Sequence, residues 1–180
     1  GADITAANSV AISSSFFSGN MDYTCNYCGG LTFYGYGLQV ISSEVITLDD
    51  VVASDNYLFG AKLEAGSDVN VYNSIFNNNR TPYAKNLEGK GLTVKSGGNV
   101  TLENTQANGN AIYGADIHAD GSVVIRNSTF SGNNAYYVNK CCGGIAYYGY
   151  GLQVVAMDDI SLTGVTATDN YLFGAHLETT

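Results

Sequence analysis

The sequence predicts an all-β solenoid of about six stacked coils, and three observations lead to it. The first is a motif with fixed spacing: an aliphatic residue, a second two positions on, Phe or Ala five further, and Asn three after that. It occurs six times without a gap, as Val10-Ile12-Phe17-Asn20, Ile46-Leu48-Ala53-Asn56, Val69-Val71-Phe76-Asn79, Val100-Leu102-Ala107-Asn110, Val123-Ile125-Phe130-Asn133 and Ile160-Leu162-Ala167-Asn170. The second is a glycine-led marker between copies: Gly1-Ala2-Asp3-Ile4, Gly60-Ala61-Lys62-Leu63, Gly114-Ala115-Asp116-Ile117 and Gly174-Ala175-His176-Leu177, alternating with Gly37-Leu38, Gly91-Leu92 and Gly151-Leu152. The third is residue usage: Val, Ile, Thr, Tyr and Phe are plentiful while charged residues make up 13% of the chain, which favours strands over helices.

Coil starts are read at residues 4, 38, 63, 92, 117 and 152, with a seventh beginning at 177, for lengths of 34, 25, 29, 25, 35 and 25. Residues 1–180 thus form one domain of three long–short coil pairs, with no capping helix evident. Phe occupies the inner motif position in long coils and Ala in short ones, so neighbouring layers interdigitate. The extra length follows the Asn: seven residues separate it from the next start in short coils, but 18, 13 and 19 in long ones. All three insertions therefore leave the same edge of the stack. Alternation in Val100-Thr101-Leu102 and Val123-Val124-Ile125 reads as short strands with one face inward. With these coil lengths and this alternation, the chain resembles the right-handed parallel β-helix superfamily, the pectin-lyase-like solenoids, over its whole length.

The Asn column (Asn20, Asn56, Asn79, Asn110, Asn133, Asn170) is expected to stack in a turn, each amide bonding its neighbours. A second polar column follows from the register: Ser14, Asp50, Asn73, Asn104 and Asn127. Beside it, Glu103 and Arg126 are expected to form a surface ion pair. Gly89 and Gly91 read as a return where the backbone needs positive φ.

The inserted loops hold the remaining unusual chemistry. Loop one contains Cys25, Tyr27 and Cys28, followed by Tyr34-Gly35-Tyr36-Gly37; loop five contains Cys141 and Cys142, then Tyr148-Gly149-Tyr150-Gly151. The tyrosines suit contacts to protein or glycan. The cysteines leave three arrangements open: local pairs Cys25–Cys28 and Cys141–Cys142, a zinc site as runner-up, or disulfides between copies stacked end to end. The last is open because coils 1 and 5 lie about 19 Å apart within one chain, but coil 5 of one copy and coil 1 of the next about 10 Å apart.

Composition narrows the function. A net charge of −9 disfavours nucleic-acid binding, although Arg80, Lys85, Lys90 and Lys95 form a basic stretch. No apolar run approaches the length of a membrane-spanning helix, and no cofactor motif is present. Paired cysteines, low charge density and sequons at Asn79, Asn99 and Asn127 suggest an extracellular, cell-surface setting. The start at Gly1 reads as a mature product or an excised segment.

The superfamily resemblance implies a polysaccharide lyase or hydrolase as one reading. Such sites need a basic residue beside carboxylates, or clustered aspartates. Asp49-Asp50 and Asp158-Asp159 occupy different coil positions, Asp55 and Asp169 are four coils apart, and His118 and His176 read as isolated. The sequence therefore favours a non-enzymatic building block that polymerises head to tail with itself, loosely similar to the protein sheaths of methanogenic archaea. A glycan-binding adhesin is the alternative.

Overall fold

The computed structural model describes residues 1–21, 23–25, 31–33, 35–80, 89–139 and 144–180. In chain order the strands are β1 (Ala2–Ala6), β2 (Val10–Phe16), β3 (Tyr23–Cys25), β4 (Leu31–Phe33), β5 (Leu38–Ser42), β6 (Ile46–Val52), β7 (Phe59–Ala65), β8 (Val69–Tyr72) and β9 (Lys90–Ser96). They continue as β10 (Val100–Glu103), β11 (Tyr113–Ala119), β12 (Val123–Arg126), β13 (Ala135–Asn139), β14 (Gly144–Tyr148), β15 (Tyr150–Ala156), β16 (Ile160–Thr163) and β17 (Phe173–Thr179). No helix occurs among the described residues.

The strands build two parallel sheets that wind as one coil. The first has the order β1-β5-β7-β9-β11-β15-β17, and the second β2-β6-β8-β10-β12-β16. Single bridges Val52–Ile75–Gln106–Thr129–Thr166 run up a third side. Alternation sets the facing: in β8, Val69 and Val71 are buried while Asn70 and Tyr72 lie between core and solvent. The inward columns of both sheets meet in one core with Phe76 and Phe130 fully enclosed. The insertions in coils 1 and 5 carry antiparallel hairpins, β3–β4 and β13–β14.

The register corrects the phase of the coil count. Ala2, Leu38, Ala61, Leu92, Ala115, Leu152 and Ala175 form one column, so Ile4 stands opposite Val40, not Leu38. Starts at 4, 63, 117 and 177 therefore fall two residues later in register than those at 38, 92 and 152. Counted from glycines 1, 37, 60, 91, 114, 151 and 174, the coils are 36, 23, 31, 23, 37 and 23 residues long, and every short coil has the same length. The slip arose because the first inward residue is Ala in long coils, where Ile or Leu two positions on is the more visible apolar mark. This Ala/Leu alternation runs opposite in phase to the Phe/Ala one. Each long coil carries Ala at the first position and Phe at the second, and each short coil Leu and then Ala. The two swaps keep the volume of each layer nearly constant.

Candidate functional site

The turn between the third side and the first sheet is the most regular feature of the molecule. Each coil passes through Phe or Ala, a small polar residue, a residue with positive φ, and Asn. The positive-φ positions are Gly19, Asp55, Asn78, Gly109, Gly132 and Asp169, with φ of 57–71°. Gly, Asn and Asp are the residues that enter this left-handed region most readily.

The next residue is always the ladder Asn. The backbone N–H and Nδ2 of Asn79 donate to Oδ1 of Asn110 at 2.8 and 3.0 Å. The same pair of bonds links Asn20 to Asn56, Asn56 to Asn79, Asn110 to Asn133 and Asn133 to Asn170. The residue two before each Asn makes a second ladder that sequence reading missed. There the N–H of the later coil donates to the side chain of the earlier one: Ser54 to Ser18, Asn77 to Ser54, Asn108 to Asn77, Ser131 to Asn108 and Thr168 to Ser131. The two ladders run in opposite directions because the left-handed residue between them reverses the N–H. Its sequence signal was the unbroken run of Ser, Thr and Asn at that position.

Asn amides also explain the glycine column. A Cβ on Gly91 would lie 2.5 Å from Nδ2 of Asn110, and one on Gly151 2.5 Å from Nδ2 of Asn170. Gly91 is therefore required for space; positive φ applies only to Gly89 of that pair, at 119°. The outer polar column Ser14, Asp50, Asn73, Asn104 and Asn127 is also left-handed, with φ of 45–56°. Gly164 completes it at φ 64°. Within it Nδ2 of Asn104 donates to Oδ1 of Asn73 at 3.1 Å, while Nδ2 of Asn73 donates outside the column, to Oδ1 of Asp49 at 2.9 Å. Asp55 and Asp169 are thus turn residues, and Asp50 is a left-handed residue within β6.

The outer face of the first sheet carries the most chemistry. Where each strand begins, Tyr36, Phe59, Lys90, Tyr113, Tyr150 and Phe173 form a row along the solenoid axis. Ring centroids lie 5.2 Å apart for Tyr36–Phe59, 4.9 Å for Tyr113–Tyr150 and 5.6 Å for Tyr150–Phe173. Lys90 interrupts the row: its Nζ sits 5.0 Å from the Tyr113 ring centroid and 2.8 Å from Oδ2 of buried Asp116. The other carboxylate oxygen, Oδ1, has no hydrogen-bond partner, and Nε2 of exposed His118 lies 3.4 Å away. His118 thus points outward but is not isolated. His176 is also in company, its ring 6.3 Å from that of Phe173. Glu103 and Arg126 stand side by side in register yet form no ion pair; those among the described residues are Lys62–Glu64 and Lys90–Asp116, with His118 close to Asp116.

Against known families, the model described as a right-handed β-helix region matches residues 1–179. The chain belongs to the right-handed β-helix family. This is the fold of the pectin-lyase-like solenoids, and the all-parallel sheets agree with it. No curated protein matches the chain, and neither does any solved structure.

The remaining predicted site residues distribute unevenly over this β-helix. Cys28, Cys141, Cys142, Tyr27, Tyr34 and Lys85 lie outside the described residues. Cys25 ends β3 opposite Leu31, and Tyr148 ends β14 opposite Ala135. The sequon at Asn79 is closed, since this fully buried amide is a rung of the ladder. Asn99 and Asn127 are exposed. Among the described residues no group of three or more His, Cys, Asp or Glu is placed to hold a metal ion, and no helix is long and apolar enough to cross a membrane.

Both end layers of the stack are incompletely covered. At one, Ile4, Val10, Ile12 and Phe17 are only partly buried and Phe16 is 78% exposed. At the other, Leu162 and Ala167 are partly buried, and Leu172, Phe173 and Leu177 are exposed. The Asn ladder meets these layers with opposite chemistry. Oδ1 of Asn20 faces outward as an acceptor, taken by the amino group of Gly1 at 2.6 Å. At the far end the donor group Nδ2 of Asn170 turns back to the carbonyl of Phe130 at 2.9 Å.

Proposed function

We propose that this β-helix is a structural unit of the cell exterior that stacks end to end with further copies into a filament, hoop or sheath. The observation that carries the reading is the complementarity of the two end layers. One carries an Asn acceptor, taken here by the amino group of Gly1, and the other an Asn donor, turned here onto the carbonyl of Phe130, each beside a partly exposed apolar column and an open edge of parallel sheet. A coil of the kind already present covers each layer in register. The first sheet has seven strands and the second six, so simple addition of a copy leaves the second sheet one strand short. An in-phase joint instead has β17 of one copy pair with β5 of the next, in the place β1 holds here; Gly174-Ala175-His176-Leu177 follows the pattern of Gly1-Ala2-Asp3-Ile4. The cysteine-bearing insertions then recur along one edge, where disulfides between copies lock the joint.

The adhesin alternative draws less support from the described tyrosines. Tyr150 lies between the rings of Tyr113 and Phe173 and so offers an edge to a sugar where a face is needed, and Tyr36 has one face against Phe59. An enzymatic reading has little to draw on, because Asp50, Asp55 and Asp169 hold left-handed backbone positions.

Electron microscopy and light scattering of the 180-residue chain, with and without reductant, test the proposal. Filaments or rings with an axial repeat of about 29 Å (six layers of about 4.8 Å each) that come apart on reduction are expected. Monomers under both conditions overturn it, and leave covalently joined coils or a different partner as the cover for the end layers.

A further inference from the structure

The aromatic row on the first sheet lacks one ring. Five of its six members are Tyr or Phe, and the sixth, Lys90, leans toward Tyr113 and Asp116. The Lys90 ammonium therefore covers one face of Tyr113. Phe59 is covered by Tyr36 on one side; on the other it borders an open cleft of about 410 Å³. Gln39, Lys62, Lys90 and Thr93 also line this cleft, and among the described residues no acidic side chain does.

Two requirements follow for an occupant. It must be flat, because neighbouring rings of the row lie 4.9–5.6 Å apart, stacked or tilted, and the row position held by Lys90 is one layer high. It gains from a negative charge, because Lys62 and Lys90 both line the cleft, the Lys90 ammonium being held by Asp116 and the Lys62 ammonium by Glu64. Lys62 is held only by Glu64, at 2.7 Å, in a pair whose members are each more than a third exposed, so it turns to a new partner at little cost. We propose that this cleft binds small aromatic carboxylates, with the ring stacked on Phe59 as the missing member of the row and the carboxylate on Lys62.

The probe is 2-naphthoate, whose fluorescence is separable from that of a chain with 14 Tyr and no Trp, with neutral 2-naphthalenemethanol as its twin. Saturable binding of the acid, at least about fivefold tighter than the alcohol, is expected from the ammonium contact. Phe59→Ala is expected to weaken it about tenfold through loss of the stacking surface. Lys90→Phe combined with Asp116→Asn supplies the missing ring and removes the stranded carboxylate; binding is expected to disappear. Circular dichroism and melting curves establish that each variant is folded, and Phe59→Ala, a change on the outer face, serves if the double variant is not. Absence of binding, equal affinity for acid and alcohol, or binding unchanged in folded Phe59→Ala overturns the assignment. None of these outcomes depends on whether the protein polymerises.

Discussion

Asn110 sits at the centre of the ladder and gives its sharpest test. The side chain is fully buried. Its Oδ1 accepts from the N–H and Nδ2 of Asn79, and its Nδ2 donates to Asn133 at 3.2 Å. In Asn110→Ala both Asn79 donors lose their acceptor inside the turn, where no other group replaces it. Oδ1 of Asn133 keeps the bond from the backbone of residue 110. A stranded buried donor costs about 1–3 kcal/mol, so the substitution should destabilise the protein by about 3–5 kcal/mol. Asn20→Ala is the internal reference. That side chain is only partly buried, and its loss strands the amino group of Gly1, which water can serve, so about 1 kcal/mol is expected. Urea unfolding followed by far-ultraviolet circular dichroism measures both. Hydrogen exchange alongside detects coils that open singly, as quasi-one-dimensional proteins can. If the two variants fall within about 1 kcal/mol of each other, the ladder is not the stabilising element argued here.

Other substitutions test the remaining columns. Asn104 has φ 51°, so Asn104→Gly should be nearly neutral in urea unfolding while Asn104→Val should cost about 2 kcal/mol or more. Phe76→Ala empties a fully enclosed site and should cost about 3–5 kcal/mol by the same measurement. Glu103→Gln should change stability by less than about 0.5 kcal/mol at low salt, because among the described residues Glu103 has no ion-pair partner. A larger loss in that variant would restore the pairing with Arg126.

Column membership was legible in the sequence because the motif has no internal gap. Asn20 to Asn170 and Phe17 to Ala167 could be aligned by counting, and an inward apolar column needs nothing more than its period. Direction was not legible. Spacing places Asn108 over Asn77 but does not say which donates, and that depends on the left-handed residue between the ladders. The phase of the first sheet was lost because Ala in one layer and Leu in the next fill the same inward position. Glu103 and Arg126 were correctly placed as neighbours, but long side chains at adjacent positions need not meet. The cleft beside Phe59 could not be anticipated, since it is lined by Lys90, whose side-chain direction toward Asp116 and Tyr113 spacing does not reveal.

The ladder bonds have a consequence for how such a chain can lengthen. Each joins residues 23 to 37 positions apart, however far along the solenoid it lies. Adding coils therefore introduces no longer-range closure, and the entropy of closing each new loop stays the same. Folding can spread from layer to layer at a pace that total length does not set. Tandem duplication is then an inexpensive evolutionary step, and the chain carries its trace. Tyr34–Val40 recurs unchanged as Tyr148–Val154, and Asp55–Ala61 as Asp169–Ala175, both displaced by 114 residues. That displacement spans four layers, so a copied block lands with its large and small core residues already in step.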